Sequence, residues 1–278
     1  MTLRSFDVQS PQGDLLLLQL DEPTEGIVVK EIEGLDPVHA TVVSTSFAQL
    51  DGTMLQSIKR EERNIKIKLG VEPDIDTGSV RDIRSRLYRF FMPKSVVKLR
   101  FYDNDVAYWI EGVVEDFPFP LFTDDPEGNA SIICNDPNFF NPIARIVEGT
   151  TTSSDDELEV NYGGSIETGI RFQLFPDRDV DAFEIYHRRP DNSLRTLEFA
   201  LSESDPLSAG TVLTITTQPG AKGVSTLDLL GTERSPLYAV SPTSDWIQMQ
   251  PGINHLRVYA NGAPVPFQIE YTEKFGGL

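Results

Sequence analysis

Arg63-Asn64-Ile65-Lys66-Ile67-Lys68-Leu69 decides the fold class. Apolar side chains at 65, 67 and 69 alternate with Lys66 and Lys68. Successive side chains of an extended chain point to opposite faces, so one face is apolar and the other charged. That is a half-buried strand. The same period of two recurs outward from it. Tyr108, Ile110 and Gly112 alternate with Trp109, Glu111 and Val113. Ile166, Thr168, Ile170, Phe172 and Leu174 share one face, with Arg171 and Gln173 on the other. Leu213 and Ile215 sit between threonines. Leu256 and Val258, then Phe267, Ile269 and Tyr271, make two more strands around the turn Asn261-Gly262-Ala263-Pro264. Short strands broken by Gly and Pro turns predict a mainly β chain of sandwich or barrel type.

One helix is expected, at about 79–92. Ile83, Leu87, Phe90 and Phe91 fall at i, i+4, i+7 and i+8 and form a single apolar stripe. Ser79 stands at the N-cap with Asp82 three residues on, in the manner of a capping box, and Pro93 ends the segment. Arg81, Arg84, Arg86 and Arg89 lie on the same segment. They read as a solvated face pairing with nearby acids rather than as an anion site.

The chain has 278 residues, enough for two domains. The stretch Gly149-Thr-Thr-Thr-Ser-Ser-Asp-Asp156 has no large apolar residue and reads as a linker. The expected division is an N-terminal β domain over 1–147, a linker over 148–157 and a C-terminal β domain over 158–278. Five prolines between 117 and 142 make that part rich in loops.

The formal net charge is −19 and is spread over both halves. A phosphate-gripping surface needs a basic face, so this balance argues against nucleic-acid binding. The run Leu15–Leu20 is too short to span a bilayer or to serve as a secretion signal. Synthesis in a cytoplasm is therefore expected. The one cysteine, Cys134, cannot form an internal disulfide and reads as a small buried hydrophobe in a strand.

Chemistry-bearing motifs are missing. The sequence has no phosphate loop and no nucleophile elbow. His39, His187 and His255 are scattered, so no zinc protease pair exists. Asp177, Asp179 and Asp181 have the spacing that opens a calcium loop, but Ala182 stands where glycine is required and Arg188 where a bidentate Glu is required. No catalytic residue, metal or cofactor is assigned. Trp246 and Tyr259 read as strand aromatics. They are core candidates and, alternatively, platforms for stacking a sugar.

Several pieces, in order along the chain, resemble the distal tail protein family of long, flexible-tailed bacteriophages (siphophages). They are Ile32-Glu33-Gly34-Leu35-Asp36-Pro37; Leu50-Asp51-Gly52 followed by Arg63-Asn64-Ile65-Lys66-Ile67; the helix end Arg86-Leu87-Tyr88-Arg89-Phe90-Phe91; Tyr108-Trp109-Ile110-Glu111-Gly112-Val113-Val114-Glu115; and Ile133-Cys134-Asn135-Asp136-Pro137-Asn138-Phe139. Asn161-Tyr162-Gly163-Gly164, Gly210 with the following Thr-Ile-Thr-Thr strand, Trp246 with Pro251-Gly252-Ile253-Asn254, and the terminal Phe275-Gly276-Gly277-Leu278 continue the series. The resemblance implies an N-terminal domain that builds a homohexameric ring and a C-terminal galectin-like β-sandwich. It implies a non-enzymatic virion protein at the tail tip, assembled in the host cytoplasm. Its partners would be the tail tube protein, the tape measure protein, a tail-associated lysin or fibre protein and receptor-binding proteins. DNA would pass through the ring without specific binding, and no membrane is involved. The runner-up reading is a glycan-binding adhesin that uses Trp246 and Tyr259. A wall hydrolase is the third, and it lacks any motif.

Overall fold

The computed structural model describes residues 3–47, 51–73, 78–103, 106–120, 123, 125–202 and 204–278. Leu50, part of one family-like piece, lies outside them. The chain is mainly β with one α-helix, and it divides into two units. Unit 1 comprises Met1–Pro142 together with Phe275–Leu278, and unit 2 is Ile143–Lys274.

Unit 1 is built on one antiparallel sheet. Its strands run in the order Leu15–Gln19, Ser5–Gln9, Val96–Tyr102, Ala107–Asp116, Glu127–Cys134, Arg63–Val71, Ile27–Glu33. The deciding strand lies inside this order, with Ile65 opposite Ile132 and Ile67 opposite Ala130. Ile65, Ile67 and Leu69 are buried, as their phase demands. The sheet does not close into a barrel. Among the described residues Leu15–Gln19 pairs only with Ser5–Gln9, and Ile27–Glu33 only with Arg63–Val71. The segment joining these two edge strands makes its own bridge, Thr24 to Ile27, in place of a ladder between them.

The helix Val80–Phe90 forms as its sequence dictates. Ser79 accepts from the Asp82 amide, and Asp82 returns the bond to the Ser79 amide at 3.1 Å. Ile83, Leu87, Phe90 and Phe91 are buried in the same apolar cluster as Phe6, Leu99 and Phe101 of the sheet. Each such side chain contributes about 1.5–3 kcal/mol on burial. Arg86 pairs with Glu25 at 2.7 Å and Arg84 donates to the Tyr88 hydroxyl at 2.7 Å. Packing is tight at Gly112, where an added Cβ would meet Cys134 Sγ and Ile132 Cγ2 at 2.7 Å each.

Unit 2 has two main sheets. One runs Arg145–Thr150, Pro266–Tyr271, Arg171–Leu174, Val212–Thr216, Gly223–Leu227, Glu233–Arg234. The other runs Leu158–Tyr162, Gly252–Tyr259, Ala182–Arg188, Leu194–Ala200. Phe172, Phe183, Phe199 and Phe267 belong to one buried cluster, and Phe183 stacks between Phe172 and Phe199 at 5.7 and 5.0 Å. The Thr-rich stretch that reads as a linker lies inside this unit. Arg145–Thr150 pairs with Pro266–Tyr271, and Thr151 is buried, its hydroxyl accepting from the Val265 amide at 2.9 Å. Threonine fits a pleated, half-buried surface well, so a threonine run does not mark a break by itself.

Candidate assembly site

Arg63 shares the phase of Ile65 and Ile67, and its side chain goes inward with theirs: it is 1% exposed. A guanidinium in that position needs acceptors for its whole fork of donors. Four backbone carbonyls supply them. Nε donates to Pro137 at 2.7 Å, Nη1 to Gly34 and to Asp36, the latter at 2.7 Å, and Nη2 to Gly276 at 2.6 Å. The Phe139 ring lies 4.4 Å from the guanidinium carbon. Burial lowers the group's pKa from its ordinary value, yet an arginine stays charged. Gly34 takes a left-handed φ of 88°, the turn that aims its carbonyl at Arg63.

The family-like pieces meet at this arginine. The 32–37 turn gives Gly34 and Asp36, the 133–139 segment gives Pro137 and Phe139, and the last four residues give Gly276. Leu278 donates its amide to Leu35 at 3.0 Å, and Phe275 packs edge-on against Tyr108 at 5.0 Å. Cys134 is buried beside Gly112 with its thiol pushed up to about 12, which makes it a filler and not a nucleophile.

A hairpin grows from the same node. Ala40–Ser46 pairs with Thr53–Arg60, and Asp51 and Gly52 lie just before the second strand, with Gly52 at φ 93°. Its root is held. Arg60 donates to Asn138 at 2.7 Å, Glu61 donates its amide to His39 at 3.0 Å, and Arg63 clamps the strand that follows. Beyond the root the hairpin is bare. Val42 and Ile58, directly opposed across the pair, are 58% and 60% exposed, and Val43, Met54 and Leu55 are exposed as well. Sequence reasoning missed this element because both faces meet solvent, so no alternation marks it. The usable signal was Val42-Val43 and Met54-Leu55 flanking a Gly turn, on strands without an acid.

Near the root, Val96, Trp109, Val113 and Phe140 line a hollow of about 400 Å³ together with Glu111 and Asp136. Trp109 stacks on Phe140 at 4.6 Å, and Lys98 Nζ lies 3.7 Å from the Trp109 ring centre. Val96 and Val113 pair across neighbouring strands and are exposed. Unit 2 carries a separate apolar turn, in which the Asp228 carboxylate accepts from the Leu230 and Thr232 amides at 2.8 Å each and leaves Leu229 and Leu230 in solvent.

The two aromatics proposed for sugar stacking are both half-buried in unit 2. Trp246 does not belong to a strand. Its segment runs along the edge of Leu194–Ala200, with Asp245 donating its amide to Thr196 at 2.8 Å, and Lys222 approaches its ring at 5.6 Å. Tyr259 ends the strand Gly252–Tyr259 and donates to Asn261 at 2.8 Å. Among the described residues no three His, Cys, Asp or Glu side chains converge as a metal site, and no helix is long and apolar enough to cross a membrane.

No protein-family model matches the sequence, and no curated protein matches it. Solved structures do. The Dit protein of phage SPP1, described as a paradigm of the hub adsorption apparatus in phages infecting Gram-positive hosts, superposes with a TM-score of 0.68 at 19% identity. The match covers 97% of this chain and 99% of that one. A chain of the phage P2 baseplate, in its activated conformation with Ca, matches with a TM-score of 0.50 at 7% identity over the whole of both chains. The resemblance carried by the scattered sequence pieces thus holds at the level of architecture: this chain has the fold of the SPP1 Dit protein over nearly its full length.

Proposed function

We propose that the chain is a structural hub subunit of a phage tail tip, assembled in the host cytoplasm and carried in the virion. The observation that carries this reading is the full-length likeness to the SPP1 Dit hub protein. Six copies form a ring at the distal end of the tail tube and leave a channel for DNA. The ring joins the tube and tape measure proteins to a lysin, fibre or receptor-binding protein. The bare apolar hairpin of unit 1 supports self-association, because exposed patches of that kind mark contact surfaces. The net charge of −19 suits a channel that DNA traverses without being gripped. No catalytic role belongs to this reading.

Light scattering with negative-stain imaging tests it, on the protein alone and with a tube protein. Hexameric rings with an open centre are expected. A monomer under both conditions overturns the hub reading. The glycan-binding alternative places sugar on Trp246 or Tyr259, which keep part of their surface exposed in unit 2. It predicts hits on a glycan array that disappear in Trp246→Ala or Tyr259→Ala.

A further inference from the structure

The most exposed large hydrophobic side chains among the described residues all belong to unit 2: Leu230 at 91%, Leu229 at 81% and Tyr238 at 79%. They stand around one hollow of about 430 Å³, which Leu201, Leu207 and Ala209 also line. The two leucines are held in place. The Asp228 amide donates to the Thr232 carbonyl at 3.1 Å and the Gly231 amide to the Asp228 carbonyl at 3.0 Å, beside the two amides that the Asp228 carboxylate already binds. Leu229 lies against Gly210, where an added Cβ would meet its Cγ at 2.9 Å. Tyr238 is carried by the single turn Leu237–Ala239, pinned by buried Ala239. A surface fixed in this way loses little freedom when something binds to it.

We propose that this hollow of unit 2 seats a short segment of a different protein, one that sets apolar anchor side chains directly beside lysine or arginine. The inference rests on the hub reading and supplies one of the outward contacts that a hub must make.

Three observations select that occupant. The first is the patch itself, since apolar surface gathered around a hollow marks a contact site. The second is charge. Asp205 and Asp228 line the hollow with a single base, Arg234. The Thr232 and Leu230 amides hold the Asp228 carboxyl below the ordinary carboxylate range, so it is ionised at neutral pH. Asp205 is exposed and has no basic partner among the described residues. An apolar seat with acids in its lining is completed by an anchor flanked by bases. The third is what the charge excludes. Two copies at −19 each repel one another, and the same patch on both would set acid against acid. A self-matching patch also stops at a pair and adds nothing to a ring. Anionic lipid is repelled by the same acids.

The test probes short overlapping peptides, spanning the other tail-tip proteins of the same particle, with the full-length chain. Binding is expected only at peptides that hold an aliphatic or aromatic residue beside Lys or Arg, and it should weaken as salt rises. Leu230→Asp and Tyr238→Asp should each weaken it about tenfold or more. Both positions face solvent, so circular dichroism and thermal melting stay as in the parent. Asp205→Lys should lose the basic peptides and gain the same peptides remade with glutamate, a swap that a merely structural role would not produce. An array without hits, or hits indifferent to these substitutions, overturns the inference. So does a parent mass that falls on Leu230→Asp, which assigns the patch to a second copy, or parent binding to phosphatidylcholine vesicles that Leu230→Asp abolishes, which assigns it to lipid. Rings seen by light scattering in the parent and in all three variants leave the hub reading standing whatever the array gives. A parent that stays monomeric even with tube protein removes the hub reading and this inference with it.

Discussion

Arg63 is the residue on which unit 1 turns. Its four carbonyl acceptors come from three separate parts of the chain. Arg63→Met would strip donors from several buried acceptors at once, each worth about 1–3 kcal/mol when left unmet. The expected loss is about 4 kcal/mol, read as a lower urea midpoint. Arg63→Lys should rescue little, because one ammonium cannot span the positions a planar fork reaches. A lysine variant as stable as the parent would refute the node. His187 makes the matching case in unit 2. It is fully buried, with Nε2 2.9 Å from Asn254 Oδ1 and no partner for Nδ1 among the described residues. Burial pulls its pKa below the ordinary 6.5. As pH falls through about 6.5 the unfolded chain takes up a proton that the folded chain refuses, so unit 2 loses stability until the folded-state pKa is reached. Melting followed between about pH 7.5 and 5.5 should therefore show a steeper decline for the parent than for His187→Gln. Equal slopes would sink the assignment. The strand's phase was read from Ile65, Ile67 and Leu69, Arg63 was not marked as buried, and its partners are backbone carbonyls with no residue signature.

At the scale of elements, legibility follows burial on one face. The strand 63–69 and the helix were readable because each has a wet side and a dry side, and the capping box fixed where the helix begins. Leu87 lies at the centre of that dry side and is fully buried. Leu87→Asp should cost unit 1 about 4 kcal/mol or more, through a lost side chain and a carboxylate with no partner. Trp109 fluorescence in urea reports it directly, and an unshifted midpoint would mean that the stripe is not core. The hairpin 40–60 and the strand Arg145–Thr150 escaped notice for separate reasons. The hairpin has no dry side, and the strand buries no residue fully and runs straight into the threonines 150–152 that read as a linker. Trp246 was read as a strand aromatic, but its segment follows a sheet edge by isolated hydrogen bonds rather than a ladder. The sugar-stacking alternative for Trp246 and Tyr259 rested on residue type alone. Nothing in spacing tells a half-buried core ring from a sugar platform.

The whole molecule is not two beads in series. Unit 1 opens the chain, unit 2 occupies Ile143–Lys274, and Phe275–Leu278 return to unit 1. No composition shift marks that return. Two glycines and two apolar residues look like a tail until Arg63 and Leu35 are seen to hold them. Removing residues 275–278 should therefore act on the unit that lies far away in sequence. Unit 1 would lose the Gly276 acceptor, the Leu278 amide bond and the Phe275 ring beside Tyr108. About 3 kcal/mol is expected from two hydrogen bonds and one ring contact. Unit 2 keeps the Lys274 carbonyl that accepts from Ser165 and Ile166, and the Tyr162 hydroxyl that receives the Lys274 amide. The chain has two tryptophans, Trp109 in unit 1 and Trp246 in unit 2. Trp109→Phe and Trp246→Phe backgrounds thus separate the two unfolding transitions. The truncation should lower the Trp109 midpoint and leave the Trp246 midpoint in place. If both shift together the units unfold as one, and if only Trp246 shifts the tail belongs energetically to unit 2.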